Sequence, residues 1–578
     1  MTADWTTDAE RSNYARSPSY ADTMTWLDRL ARASHDLAIG SFGTTPEGRD
    51  MRYVVAARDG DTTLEFAHRS GKTVLLVEAG IHSGEIEGKD AGLALLRDLT
   101  VTGRWQELLA HTVLVFIPVF NIDGHERASR WLRINQNGPE ERGTRGTAQN
   151  LNLNRDFVKA DAPEMRAWLK LFGQWMPDLF VDIHTTNGAD YAYDLTWFLE
   201  EWHSLHPAPR AWQQEALVGR VFPAMEKLGH RLAPYLELVD HRDITKGLAN
   251  FGSGPRYSTG YTAIRNRPGL LVETHMLKSY ENRVHSTYDL LVEILRELDA
   301  NPGALCRAVD VADRETVAHA GDASSRLALA HETTKTSEPF ELDGYAFTQE
   351  ASEISGDTWT TYQPGTPLRA TVPFFRQLEV VDAVDRPAAY AVPAAWVGHV
   401  RACLDAHGIG SFELRAPARV AAGRYRLSAA RFASASFEGR VRLEHFELAR
   451  ERGEFELRAG SLIVRLDQPA ANVAMHLLEP RGPDSLLQWG AFNAIFESRE
   501  YADARVGETL AREMLREDPA LRAAFDRELE DPGFASSPER RLRWFFDRSP
   551  WLDPELGIYP VLRLDRATYA TLAAQLVQ

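Results

Sequence analysis

The sequence predicts an α/β protein: a mixed, mostly parallel central sheet flanked by helices, followed by a β-rich and then a helical region. Three observations lead there. Residues 74–77, 112–118, 179–183 and 270–272 are short, continuously apolar runs. Runs of this length without alternation mark strands buried on both faces. Between them, residues 87–99, 162–175, 213–229 and 287–298 repeat apolar side chains at helical spacing. From residue 340 the pattern changes to alternating strands, and from 468 to helices.

Taken in order, residues 22–33 form an amphipathic helix with Met24, Leu27 and Leu30 on one face, and residues 50–57 and 63–67 alternate as strands. The first buried strand, 74–77, runs through His82-Ser83-Gly84-Glu85 into the helix at 87–99. The second, 112–118, leads into a long polar loop, 121–149, and long loops inside compact domains usually carry function. The third ends at His184 after the helix at 162–175. A Gly- and Ser-rich loop spans 245–262, and the fourth strand ends at Glu273. Residues 310–339 read as a helix tail and linker. Beyond it, 389–392, 424–432 and 440–448 read as strands, 397–407 as a short helix, and 454–457 with 461–466 as a hairpin about Gly460. Residues 470–478, 484–496, 506–516 and 538–546 are helical, and Trp489, Trp544, Phe545 and Trp551 read as packing residues. The expected domains are 1–335 and an accessory region 336–578, β-rich over about 340–467 and helical over about 468–578.

Composition excludes several classes. Acidic residues number 82 against 65 basic ones, a net charge of −17, which argues against nucleic acid and anionic membranes as partners. No apolar run approaches the roughly 18 residues of a membrane span. Two cysteines, Cys306 and Cys403, cannot build a disulfide framework and read as free buried thiols. The first twenty residues lack an apolar signal core. As written, the chain reads as cytoplasmic; a trimmed leader would make it periplasmic or secreted.

In sheets of this kind ligands bind beyond the carboxyl ends of the strands. His82, His184 and Glu273 each stand at such an end, and Asn121 follows another. Alone, His82 and Glu85 carry little weight, because His-x-x-Glu recurs by chance. Together with His184 and Glu273 they assemble metal-capable and proton-capable groups at equivalent positions.

Several motifs in order then resemble the zinc metallocarboxypeptidases of the carboxypeptidase A/B kind, in particular the larger bacterial members. They are His82-Ser83-Gly84-Glu85, Pro118-Val119-Phe120-Asn121-Ile122-Asp123-Gly124, Arg130-Trp131-Leu132-Arg133, Leu153-Asn154-Arg155-Asp156-Phe157, Asp182-Ile183-His184 and Leu271-Val272-Glu273-Thr274-His275. The resemblance spans about residues 17–298. It implies one Zn2+ held by His82, Glu85 and His184, Glu273 as general base, Arg133 polarising the scissile carbonyl, and Asn154 with Arg155 gripping the substrate's carboxylate. It departs from the pancreatic pattern at Gly84, where those members carry an Arg, at Asn152, where they carry an Asp supporting a zinc-ligand His, and at Ile122, where they carry Pro. The substrate-facing Tyr is either Tyr257 or Tyr261.

The resulting expectation is a peptide carboxypeptidase acting on a free carboxyl terminus. The same scaffold also suits a deacylase or amidase acting on N-acyl amino acids. A non-catalytic binding module would have lost one of His82, Glu85, His184 or Glu273, and all four are present.

Overall fold

A computed structural model describes residues 4–201, 204–250 and 252–574. Its centre is an eight-stranded sheet of β1 (Leu37–Thr44), β2 (Asp50–Ala56), β3 (Thr73–Ala79), β4 (Thr112–Ile117), β5 (Leu179–Thr186), β6 (Leu195–Leu199), β7 (Leu232–Pro234) and β8 (Gly269–His275), in the order β1-β2-β4-β3-β5-β8-β6-β7. The inner strands β4, β3, β5 and β8 are parallel, whereas β1, β2 and β6 join antiparallel. Every residue of β3, β4 and β5 is buried, as unbroken apolar strands require.

Side chains three apart on a strand point to opposite faces, and β5 shows what covers each. A Cβ at Gly88 would fall 2.8 Å from Ile183, and one at Gly92 would fall 2.1 Å from the Phe116 ring of β4. Helix α1 (Glu87–Thr100) therefore lies directly on this face, with glycine where backbone and sheet meet. On the other face Phe180 meets Trp168 edge-on at 5.5 Å, from α2 (Pro163–Trp175). Asp182 and His184 share the Phe180 face.

Six expectations are corrected. Residues 63–67 begin a helix, Leu64–Ser70, not a strand: Thr63 Oγ1 accepts the Phe66 N–H at 3.2 Å, and Gly71 ends it at φ 68°. Five alternating residues were too few to separate the two periods. The long loop starts with a helical turn, Ile122–Glu126, capped by Asn121, and the Gly- and Ser-rich loop gives way to a helix, Ser258–Ile264. The expected helix tail is the end of the helix Ala304–Ala318, but the linker after it contains the strand Arg326–Thr333, which pairs with Leu378–Asp385. The hairpin about Gly460 is absent among the described residues, since Leu443–Leu457 pairs with Ala418–Phe432 and Leu462–Arg465 pairs with Ala389–Val392. Residues 484–496 form turns with a short 3-10 segment, Asn493–Phe496, rather than a regular helix.

A strand unforeseen in the sequence, Ile558–Leu564, returns from the helical end of the chain and pairs with both Ala389–Val392 and Ala418–Phe432. Another sheet joins the two halves: the ribbon Glu338–Ala351 and Thr358–Phe375 pairs with Leu248–Ala249. Cys403 is buried and Cys306 half-buried, both as free thiols. Trp489, Trp544 and Phe545 are buried as packing residues, but Trp551 is 72% exposed. No helix among the described residues is long and apolar enough to cross a membrane.

The contact between α1 and β4 gives a direct test. Gly92→Ala should destabilise the fold by about 1–3 kcal/mol, because the new methyl overpacks a site that the Phe116 ring already fills. Urea denaturation of the purified variant would show a lowered midpoint.

Candidate active site

The turn after β3 is braced before any ligand is considered. Phe120 and Asn121 donate their N–H groups to the carbonyls of Ala79 and Gly80, each at 3.0 Å. Ser83 Oγ donates to the Asn121 carbonyl at 2.5 Å, and Ser83 N–H to the Thr144 carbonyl at 3.1 Å. His82 and Glu85 are thereby fixed to the end of β4 and to the long loop. His184 lies two residues before the end of β5, in register with Glu273 of β8. His82, Glu85 and His184 are all buried, and one ligand atom from each lies within 4.8 Å of the others.

Both imidazoles are aimed by a second partner. His184 Nε2 stands 3.0 Å from Asp182 Oδ2, and His82 Nε2 stands 3.0 Å from Asn152 Oδ1. An acceptor at Nε2 holds the ring proton there and leaves Nδ1 free as a metal donor. The two Nδ1 atoms face Glu85 Oε2 at 2.9 and 3.3 Å. Asn152 thus performs by its amide oxygen the support expected of a carboxylate, with one negative charge fewer. Thr185 N–H adds a bond to Glu85 Oε2 at 3.1 Å. Burial pushes the His82 imidazole down to about 4, which favours the neutral form that a metal needs. Burial alone would raise Glu85, but His82 and Arg133 hold its carboxyl well below the usual range.

Glu273 extends the same cluster. Burial raises its carboxyl to about 8; His184 opposes this, while Glu85 and Asp182 add to it. Tyr191 and Tyr235 feel the Glu273 charge, and burial also lifts their phenols. Neither tyrosine sits in a motif, so nothing in the sequence pointed to them.

Arg133 adopts φ 54°. Its Nη2 donates to Glu85 Oε1 and its Nε to Gln136 Oε1 at 2.5 Å, while Gln136 Nε2 donates to the Gly84 carbonyl at 2.9 Å. A Cβ at Gly84 would fall 2.4 Å from Arg133 Cγ and 2.8 Å from the Gly143 carbonyl oxygen. No larger residue fits at 84 while Arg133 takes this path. A different arginine enters from the long loop: Arg145 Nη1 is 3.8 Å from Glu85 Oε1 and its side chain is 45% exposed. The motifs did not single out Arg145.

Asn154 and Arg155 follow in the turn Leu153–Arg155, whose Asn154 N–H is also capped by Asn152 Oδ1 at 3.1 Å. The Arg155 guanidinium lies 4.4 Å from the centroid of the Tyr257 ring and donates to the Asn154 carbonyl at 2.7 Å. Among the described residues no carboxylate pairs with it, and Asn154 Oδ1 is buried without a partner. A half-buried guanidinium in this condition is suited to an incoming carboxylate. Tyr261 is buried at 1% exposure and bonds His407 Nδ1 at 3.1 Å within an aromatic cluster. That leaves Tyr257 beside Arg155. His82, His184 and Arg133 thus meet at Glu85, and Asn154 and Arg155 follow directly on Asn152; Phe251, in the Gly- and Ser-rich loop, lies outside the described residues.

The cluster of His82, Glu85 and His184 is one that could hold a metal ion. Residues 23–206 match the family model described as zinc carboxypeptidase. The chain is 22% identical over 496 residues to carboxypeptidase 2 of Trichophyton equinum, covering 83% of this chain and 85% of that protein. It is 31% identical over 154 residues to carboxypeptidase Z of Gallus gallus, covering 24% of this chain and 21% of that protein. Among solved structures it is similar to a metallo-carboxypeptidase from Burkholderia cenocepacia, at 18% identity and a TM-score of 0.36, over 49% of this chain and 68% of that one.

The two tyrosines separate cleanly. Tyr257→Phe should alter KM or kcat without loss of stability. Tyr261→Phe should leave kinetics unchanged and cost about 1 kcal/mol by removing a buried hydrogen bond; steady-state kinetics and thermal melts of both variants would check this.

Proposed function

We propose that the chain is a zinc-dependent carboxypeptidase that hydrolyses the last peptide bond of a substrate with a free carboxyl terminus. The observation that carries this is the pairing of a buried His82–Glu85–His184 donor set with Arg155, which among the described residues has no carboxylate partner and lies in the turn that Asn152, the partner of His82, caps. His82 Nδ1, His184 Nδ1 and Glu85 would hold one Zn2+, and two neutral imidazoles with one carboxylate suit that ion. The site is also rich in acids, since Glu85 and Asp182 both act on the Glu273 carboxyl, and a dication would relieve their mutual repulsion. Bound zinc supplies Lewis acidity and makes water acidic enough to lose a proton near neutral pH.

The chain's own groups account for the remaining steps. Arg155 and Asn154 take the terminal carboxylate, which places the final peptide bond and excludes internal cleavage. Arg133 polarises the scissile carbonyl and stabilises the oxyanion as it forms; losing one such donor typically costs ~100–1,000-fold. Glu273 takes the proton of the attacking water and delivers it to the leaving amine. Its carboxyl is raised by burial and neighbouring acids, so a dication beside it favours the ionised form required of a base. Tyr257, stacked on Arg155, borders the same subsite.

Glu273→Gln should retain one equivalent of zinc and lose turnover by about 100–10,000-fold; metal analysis with single-turnover assays would show both. Retained activity, or loss of zinc, would contradict the assignment. Blocked dipeptides with free and with amidated carboxyl ends test the substrate reading. Cleavage confined to the free acids, abolished in Arg155→Ala, is the expected result. Hydrolysis of N-acyl amino acids with no dipeptide cleavage would establish a deacylase instead.

A further inference from the structure

The carboxyl-terminal region reaches the active site through one tight turn. Between the paired strands Ala418–Phe432 and Leu443–Leu457 the chain runs through Phe437-Glu438-Gly439-Arg440, closed by Phe437 N–H to the Arg440 carbonyl at 2.8 Å and the reverse bond at 3.1 Å. Glu438 and Gly439 both have positive φ, 51° and 76°. Turns of this shape favour Asn-Gly or Gly-Gly, because an L side chain is strained at left-handed φ. A glutamate is a poor local choice, so its side chain is the feature to explain.

That side chain points at the metal centre's support. Glu438 Oε2 accepts the Asn152 N–H at 3.0 Å. Asn152 Oδ1 in turn accepts from His82 Nε2 at 3.0 Å and from Asn154 N–H at 3.1 Å. One residue of the carboxyl-terminal half therefore grips the backbone of the residue that aims a ligand imidazole and opens the Asn154–Arg155 turn. The Glu438 charge also acts on the Arg155 guanidinium. The turn is held there by neighbours on both sides. Arg440 pairs with Asp161 through two bonds of 2.9 and 2.5 Å, and Phe437 stacks on Trp489 with ring centroids 6.0 Å apart.

We propose that Glu438 is a positioning residue of the active site, supplied by the accessory region. It fixes the Asn152 amide that holds His82 for the metal and sets the turn that grips the substrate's carboxylate. The proposal rests on the zinc carboxypeptidase reading above. It makes the carboxyl-terminal half a working part of the catalytic centre.

The test uses the full chain with Glu438→Gly, Glu438→Gln and Arg440→Ala. Zinc itself is the probe, titrated against a competing chelator, beside melts of the metal-free proteins and the KM for a blocked free-acid dipeptide. Glycine suits the turn, so Glu438→Gly should melt at or above the wild-type temperature while its zinc affinity falls about tenfold and its KM rises. Glutamine keeps an acceptor for the Asn152 N–H and should recover zinc affinity to within about threefold of wild type. Wild-type zinc affinity in Glu438→Gly would overturn the proposal. So would parallel loss of melting temperature and affinity in Glu438→Gly and Arg440→Ala with no recovery in Glu438→Gln, which would make the turn only an anchor. If wild type binds zinc but cleaves no peptide, the substrate reading fails while the affinity comparison still decides the role of Glu438. If wild type binds no zinc, both fail together.

Discussion

The parallel register of β3, β5 and β8 is the constraint on which the rest of this molecule depends. Ala79 lies beside Ile183, and His184 beside Glu273. Parallel strands advance in the same direction, so their carboxyl ends open at one edge of the sheet. The chain leaves β3 through His82 and Glu85 at the edge where β5 presents His184 and β8 presents Glu273. A slip of one residue in β5 would turn His184 to the α1 face and bring Ile183 into the cluster. The glycines of α1 matter for the same reason: Gly88 and Gly92 let the helix seat against Ile183 and Phe116 and so hold those strands level.

The site that results is electrostatically costly in the absence of a cation. Glu78 and Asp182 are in register on adjacent buried strands, and burial together with Asp182 lifts the Glu78 carboxyl well above its ordinary range. Burial and neighbouring acids do the same to Glu273. Buried acids are retained where they are paired or where they meet a metal. Here the pairing is graded: Asp182 and Asn152 each hold one imidazole by its Nε2, and Glu85 faces both Nδ1 atoms. Replacing a supporting carboxylate by Asn152 keeps the geometry and lowers the negative charge, which suits a site already crowded with acids.

The carboxyl-terminal half is built onto this centre from two directions. The ribbon Glu338–Ala351 pairs with Thr358–Phe375 and docks beside Tyr191 and Tyr193, where the Ala192 N–H donates to the Asp343 carbonyl at 3.0 Å and Tyr193 Oη donates to the Glu341 carbonyl at 3.2 Å. The Phe437–Arg440 turn approaches from the side of Asn152, and Asp484 pairs with Arg256 at 2.7 Å nearby. Trp489 sits among Lys159, Arg256 and Arg442, so its burial joins the halves.

Local signals in the sequence determined the strands, the covering helices and which His and Glu stand at the strand ends. Continuous apolar runs can be buried only on both faces, and a His or Glu closing such a run falls at the ligand-binding edge. The same signals failed where they were short or shared: residues 63–67 fit either period, and the strand Ile558–Leu564 follows helices with nothing local to say where it pairs. Only the tertiary structure decided which tyrosine borders Arg155, why residue 84 must be glycine, that Arg145 approaches Glu85, and that Glu438 supports Asn152 across 286 positions of sequence. Pairings between distant segments are set by the register and docking of whole elements, and no pattern within a few residues of either partner encodes them.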